Sequence, residues 1–183
     1  MIEIRIHGRG GQGAVIASKL LASAFFKEGK FVQSFPTFGV ERRGAPVAAF
    51  VRVDEKYILV RSQNYDPDHI VVLDPTLIDA VDVTLGLKTG GWIIINSARK
   101  PAEFDKLSEF KVATIDASSI AVKHRLGSKS HPIVNTAILG TFAKVINIVK
   151  LDSIADAINE EVPFSQEANT KACREAYENA VLV

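Results

Sequence analysis

A cluster of glycines between a strand pattern and a helix pattern constrains this chain more than any other stretch. Residues 1–7 alternate, with Ile2, Ile4 and Ile6 apolar and Glu3, Arg5 and His7 polar, which is the period of a strand. Gly8, Gly10, Gly11 and Gly13 then fall within six residues, and an Ala- and Leu-rich stretch from Ala14 to Lys27 follows at helical spacing. Strand, bend and helix in that order aim backbone N–H groups and a positive helix end at one point. Such a point suits phosphate or another anion. A Cβ would obstruct both the tight turn and the close approach of a ligand, so the bend needs glycine. The candidate ligand-facing set here is Gly8, Arg9, Gly10, Gly11, Gln12 and Gly13.

The spacing Gly8-x-Gly10-x-x-Gly13 is also that of a dinucleotide fingerprint. A nicotinamide cofactor further requires an acid about 20 residues on, at the end of the second strand. Here the second strand, Phe31 to Phe35, runs into Pro36 without one, and the next acid is Glu41, beyond Gly39. That absence argues against NAD and a free-standing dehydrogenase. The other alternative is a bend that only packs the first helix on the first strand, in a domain whose role is interaction.

The chain has 183 residues, enough for one domain with a sizeable core, and a single domain over 1–183 is expected. A formal net charge of +1 gives no field that would gather nucleic acid or a membrane surface. No apolar run approaches the roughly 20 residues of a bilayer span. The start, Met-Ile-Glu-Ile-Arg, reads as a strand without a basic n-region or an apolar h-region, so a cytoplasmic protein is expected. One cysteine, Cys173, and four scattered histidines offer no metal-ligand spacing, and no metal site is read. An apolar fraction of 47% points to some surface buried against partners.

The pattern implies an α/β, Rossmann-like layered fold with a mostly parallel, mixed sheet and a helical C-terminus. The first helix ends at Glu28-Gly29, and the strand–helix–strand unit is expected to be parallel. Val47–Val53 and Tyr57–Val60 read as a hairpin-like strand pair, which makes the sheet mixed. Buried strands are expected over 68–74 and 90–97, and a shorter one over 111–116. Helices follow over 118–125, 133–150, 154–161 and 164–182, with a loop from Leu126 to Pro132. Between Pro36 and Pro46, glycines and prolines surround Glu41, Arg42 and Arg43. That segment leaves the carboxyl end of the second strand, the edge along which ligands of open α/β sheets bind. Arg42 and Arg43 are candidates for an anionic group or a partner carboxylate, against the plainer reading of a solvated loop.

Four stretches then resemble a known family in order: Gly8–Gly13, Phe38–Pro46, Asp74–Leu77 and Asn135–Gly140. The chain resembles the gamma subunit of 2-oxoacid:ferredoxin oxidoreductases along nearly its whole length, and most closely the pyruvate synthase or 2-ketoisovalerate type. Gly44-Ala45-Pro46 favours that branch. The resemblance implies a multi-subunit enzyme that turns a 2-oxoacid and coenzyme A into acyl-coenzyme A, CO2 and reduced ferredoxin. It implies thiamine diphosphate and [4Fe–4S] clusters held by companion alpha, beta and delta-type subunits, with ferredoxin as an indirect partner. No cofactor is held by this chain alone, and no residue of it is catalytic. The amides from Gly10 to Gly13 would face the coenzyme A diphosphate or a neighbouring subunit's acidic group, with Arg42 and Arg43 as countercharge or docking contacts. Asn135 joins the candidate ligand set through its motif, although an Asn near a helix start is often only a cap.

Overall fold

The computed structural model describes residues 1–37 and 42–182. Phe38, Gly39, Val40 and Glu41, which carry part of the charged-loop motif, lie outside the described residues. The elements run β1 (Ile2–Arg9), α1 (Ala14–Lys27), β2 (Phe31–Pro36), β3 (Pro46–Asp54), β4 (His69–Val72), α2 (Leu77–Ala80) and β5 (Trp92–Asn96). After two short 3-10 turns come β6 (Lys111–Ile115), α3 (Ala117–Lys123), α4 (Ala137–Ile146), α5 (Leu151–Glu161), α6 (Gln166–Asn179) and β7 (Val181–Leu182).

The seven strands form one sheet in the order β2-β3-β1-β4-β5-β6-β7. From β1 through β4 and β5 to β6 the pairing is parallel. Strand β3 is antiparallel to both β1 and β2, so β2 points the same way as β1. Strand β7 is antiparallel to β6. The sheet is thus mostly parallel in direction and mixed in pairing, as its pattern implied. The expected parallel partners β1 and β2 are not neighbours, because β3 is inserted between them.

That insertion also explains a correction. Tyr57–Val60 is not a strand paired with β3, since β1 and β2 already occupy both edges of β3. Only Ile58 of that segment is buried, its carbonyl accepting from Gln33 Nε2 at 3.1 Å, while Tyr57 and Leu59 lie exposed. The expected helix over 133–150 is shorter. It begins after a turn at Asn135-Thr136 and stops at Asn147, whose φ of 55° is a left-handed cap. The last helix likewise starts past Ser165 (φ 56°) and ends at Asn179, because the chain then pairs with β6.

Strand alternation sorts two cores. Ile4, Ile6, Val51, Val71, Ile94 and Ala113 face the layer of α1, α3, α4, α5 and α6. Ile70, Val72, Ile93, Ile95 and Val112 face α2 and the 3-10 turns through Leu77, Phe104 and Leu107. Gly140 sets the closest helix contact, since a Cβ there would lie 1.8 Å from the Cys173 carbonyl oxygen on α6. On the second face, towards β2, the polar side of β1 is buried beneath residues 55–67 and 82–87. Arg5 donates to the carbonyls of Leu85, Tyr65 and Asn64, and Arg52 to Glu3 Oε1 at 2.7 Å and the Gln63 carbonyl. Two buried cations therefore pin a long irregular segment by its backbone.

Candidate functional site

The parallel strands β1, β4 and β5 all point their carboxyl ends at one edge, and there the distant motifs meet. Gly10 pairs with the 42–45 segment: its N–H donates to the Ala45 carbonyl at 2.9 Å, and Gly44 N–H donates back to the Gly10 carbonyl at 3.0 Å. A Cβ on Gly10 would stand 2.3 Å from the Arg42 carbonyl oxygen, so this approach requires glycine. Gly13, at φ 81°, is the N-cap of α1, and a Cβ there would sit 2.5 Å from Asn135 Nδ2. The third junction is made by Asp74, just past β4. Its Oδ2 accepts from Arg9 Nε at 3.1 Å and Gln12 Nε2 at 3.0 Å, and its Oδ1 accepts from the Thr76 hydroxyl and N–H. Partial burial opposes ionisation of Asp74, but hydrogen bonds from Thr76 and Gln12 and the charge of Arg9 outweigh it. They hold its carboxyl below the usual carboxylate range.

Between these junctions lies a cleft of about 510 Å³, with Gly10–Gly13 and Arg43 on one wall and Ser130, His131 and Ile133 on the other. Asn96 and Ser118 form its floor. Asn96 Nδ2 donates to the Leu73 carbonyl at 3.0 Å and to Ser118 Oγ at 3.1 Å, which ties the ends of β4 and β5 to α3.

The sequence-derived residues divide by role. Gly11 (φ 95°) and Gly13 offer N–H groups with no acceptor among the described residues, and α1 has no side-chain cap beyond them. The free first-turn amides of α1 add to that pair. The amides of Gly10 and Gln12 do not face outward as expected; they are taken by Ala45 and by the Arg9 carbonyl. Gln12 folds back, accepting from Arg9 N–H at 2.7 Å through Oε1. Arg9 is spent on Asp74, Thr76 and the Gly44 carbonyl. Gly8 meets packing rather than a ligand, its absent Cβ being 3.2 Å from Leu73 Cδ1. Arg43 lines the cleft, whereas Arg42 is exposed and lies off it. Asn135 lines the cleft with its side chain buried.

These junctions tie together the four stretches on which the resemblance rested, and comparison with known proteins bears out the family resemblance itself. The family described as pyruvate ferredoxin/flavodoxin oxidoreductase matches residues 3–179. The chain belongs to this family. The gamma subunit common to the pyruvate and ketoisovalerate oxidoreductases of Thermococcus kodakarensis is 54% identical over 186 residues, covering 100% of this chain and 98% of its own length. Pyruvate synthase subunit PorC of Methanothermobacter thermautotrophicus is 50% identical over 179 residues, covering 97% and 95%. The crystal structure of pyruvate oxidoreductase subunit PORC from Thermotoga maritima matches with a TM-score of 0.84 at 34% identity, over 99% of this chain and 97% of that one. Within the family the chain is thus a gamma-type subunit of a 2-oxoacid oxidoreductase.

For such a subunit, Ser118, Ser130 and His131 line the cleft without having been assigned from the motifs, and Asp74, which braces Arg9 and Gln12 from outside the lining, lay in a motif stretch but was given no role. Asp74 had a usable signal, an acid at the carboxyl end of a buried strand; the others lie on segments whose approach depends on the tertiary fold. Chemically the cleft is a receptor. It presents main-chain donors, the guanidinium groups of Arg9 and Arg43 (Arg9 being paired with Asp74), amides and hydroxyls, among apolar side chains such as Ile16 and Ile133. The single thiol is elsewhere, buried in α6 with its pKa pushed up by burial to about 12, so Cys173 is an inert packing group. Among the described residues no group of three His, Cys, Asp or Glu side chains could hold a metal ion, and no helix is long and apolar enough to cross a membrane.

Proposed function

We propose that this subunit receives the diphosphate of coenzyme A for a cytoplasmic oxidoreductase that converts pyruvate or 2-ketoisovalerate to the acyl-coenzyme A, CO2 and reduced ferredoxin. One observation carries the reading. The N–H groups of Gly11 and Gly13 and the first turn of α1 converge on a cleft that also holds Arg43, with no internal acceptor among the described residues. A negative group there gains from the helix dipole and from charge-assisted hydrogen bonds. Companion alpha, beta and delta-type subunits hold the thiamine diphosphate and the clusters, which supply the carbanion and electron chemistry. This chain contributes position: it fixes the phosphates so that the thiol end reaches the reaction centre in a narrow range of orientations. Arg42, exposed beside the cleft, serves docking of a catalytic subunit rather than the ligand.

The test uses the assembled enzyme. A Gly11→Asp substitution puts a carboxylate where the phosphates would lie and raises the KM for coenzyme A. An unchanged KM removes the coenzyme A assignment and leaves docking as the role of this edge.

A further inference from the structure

The cleft does not end at the glycine bend. A second groove, of about 390 Å³, opens along α1 and shares Ile16, Ile133 and Asn135 with it. Along α1 the groove is lined by Ile16 and Leu20, respectively one and two turns beyond Gly13. At 1.5 Å per residue, that wall extends about 10 Å from the bend. The opposite wall is Val162, Pro163 and Phe164. The groove is mainly apolar and has less polar surface than the cleft, although Lys19, Glu161, Asn135, Thr136 and Asn169 also line it.

Phe164 is 79% exposed, yet it is not on a loose loop. Ser165 behind it holds φ 56°, and Asn169 Nδ2 donates to the Ser165 carbonyl at 3.0 Å and the Phe164 carbonyl at 3.4 Å. Asn169 Oδ1 in turn accepts from the buried Thr136 hydroxyl at 2.7 Å, next to Asn135 at the junction of the two cavities. Asn135 Nδ2 makes only a 3.5 Å contact, to the Gly13 carbonyl, so its second N–H has no acceptor among the described residues. A buried amide chain therefore holds the backbone that carries an exposed aromatic ring at the rim of a groove that begins one helical turn from the glycine bend.

We propose that this groove is the nucleoside subsite of the same ligand, with the adenine stacked on the Phe164 ring and its sugar passing Asn135. The assignment rests on the diphosphate reading above. Its occupant follows from continuity: a flat, uncharged ring joined to a diphosphate fits an apolar groove that opens directly from an anion-binding bend. Stacking on an aromatic face is tolerant of ring edge chemistry and strong enough to be measured.

The test measures, in the assembled oxidoreductase, the KM for coenzyme A and the competitive inhibition constant of ADP against it. Phe164→Ala raises both about tenfold, equivalent to about 1.4 kcal/mol, and Phe164→Tyr restores both. If Phe164→Ala leaves both unchanged while Gly11→Asp raises them, the nucleoside assignment falls and the diphosphate reading stands. If Phe164→Ala raises the KM for coenzyme A but not the constant for ADP, the groove holds the thiol-bearing arm and the assignment is overturned. Failure of Phe164→Ala to assemble with the companion subunits overturns it too, in favour of a docking contact. An effect of Phe164→Ala without one of Gly11→Asp keeps the base on the ring and removes its diphosphate from the bend.

Discussion

Asp74→Asn is the substitution that most sharply separates a shaped receptor from a bend that merely happens to contain glycine. Asp74 takes four hydrogen bonds on two oxygens, from Arg9, Gln12 and Thr76. Asparagine keeps the size but has one acceptor oxygen and turns an NH2 group towards either the Arg9–Gln12 pair or Thr76. Bonds to a charged acceptor contribute about 1.5–3 kcal/mol each. The Arg9 and Asp74 side chains are 28% and 17% exposed, so solvent screening trims the ionic part. A net loss of about 2 kcal/mol is expected, which in a domain of this size lowers Tm by about 4–8 °C. The sign with pH follows from the depressed pKa of Asp74. Its contribution is complete above the carboxyl's unfolded value and is lost as pH falls through the lower folded value, so the gap between wild type and variant narrows in acid. The assay is thermal unfolding of the purified subunit at pH 7 and in an acid series, with the KM for coenzyme A of the assembled enzyme alongside. Loss of Asp74 also frees Gln12 and Arg9, so the KM rises. An unchanged Tm at pH 7 together with an unchanged KM would refute the role given to Asp74.

Two further predictions concern the scaffold. Gly140→Ala places a methyl 1.8 Å from the Cys173 carbonyl oxygen, which forces α4 and α6 apart and costs about 3 kcal/mol, read from the denaturant midpoint; wild-type stability contradicts it. His7 is held neutral, its pKa lowered to about 4 by burial and then by the charge of Arg5, so the unfolded chain takes up a proton well before the folded one. Its contribution is intact above about pH 6.5 and falls by about 3 kcal/mol as pH drops from there to about 4; the acid slope of stability is shallower in His7→Gln, and equal slopes would refute this.

Much of this was legible in the chain, for local reasons. Alternation over β1, the glycine bend and the helix beyond it are local patterns, and the structure keeps all three. The four motif stretches were visible one by one, and the direction of parallel strands was enough to put two of them, the glycine bend and the segment from Pro36 to Pro46, at one sheet edge. What could not be read was pairing. Nothing near Tyr57 says that both edges of β3 are already filled, so a plausible strand proved to be a pinned irregular segment. Nothing near Arg9 says that its guanidinium meets an aspartate from a strand end 65 residues away. That pairing turned the most conspicuous cation of the bend into a structural one, although Arg9 still lines the cleft beside Arg43. The amides of Gly10 and Gln12 were lost to the fold for the same reason, since their acceptors depend on how the 42–45 segment and the bend itself close.

The account depends on main-chain donors at Gly11 and Gly13, and a matched pair of substitutions tests them most directly. A Cβ at Gly11 meets nothing nearer than Arg43 Cγ at 4.0 Å, so Gly11→Ala and Gly11→Asp share the same backbone strain and differ chiefly in charge. In the assembled oxidoreductase the aspartate variant should show a KM for coenzyme A about tenfold above that of the alanine variant, equivalent to about 1.4 kcal/mol of repulsion. Equal KM values for the two variants would contradict it.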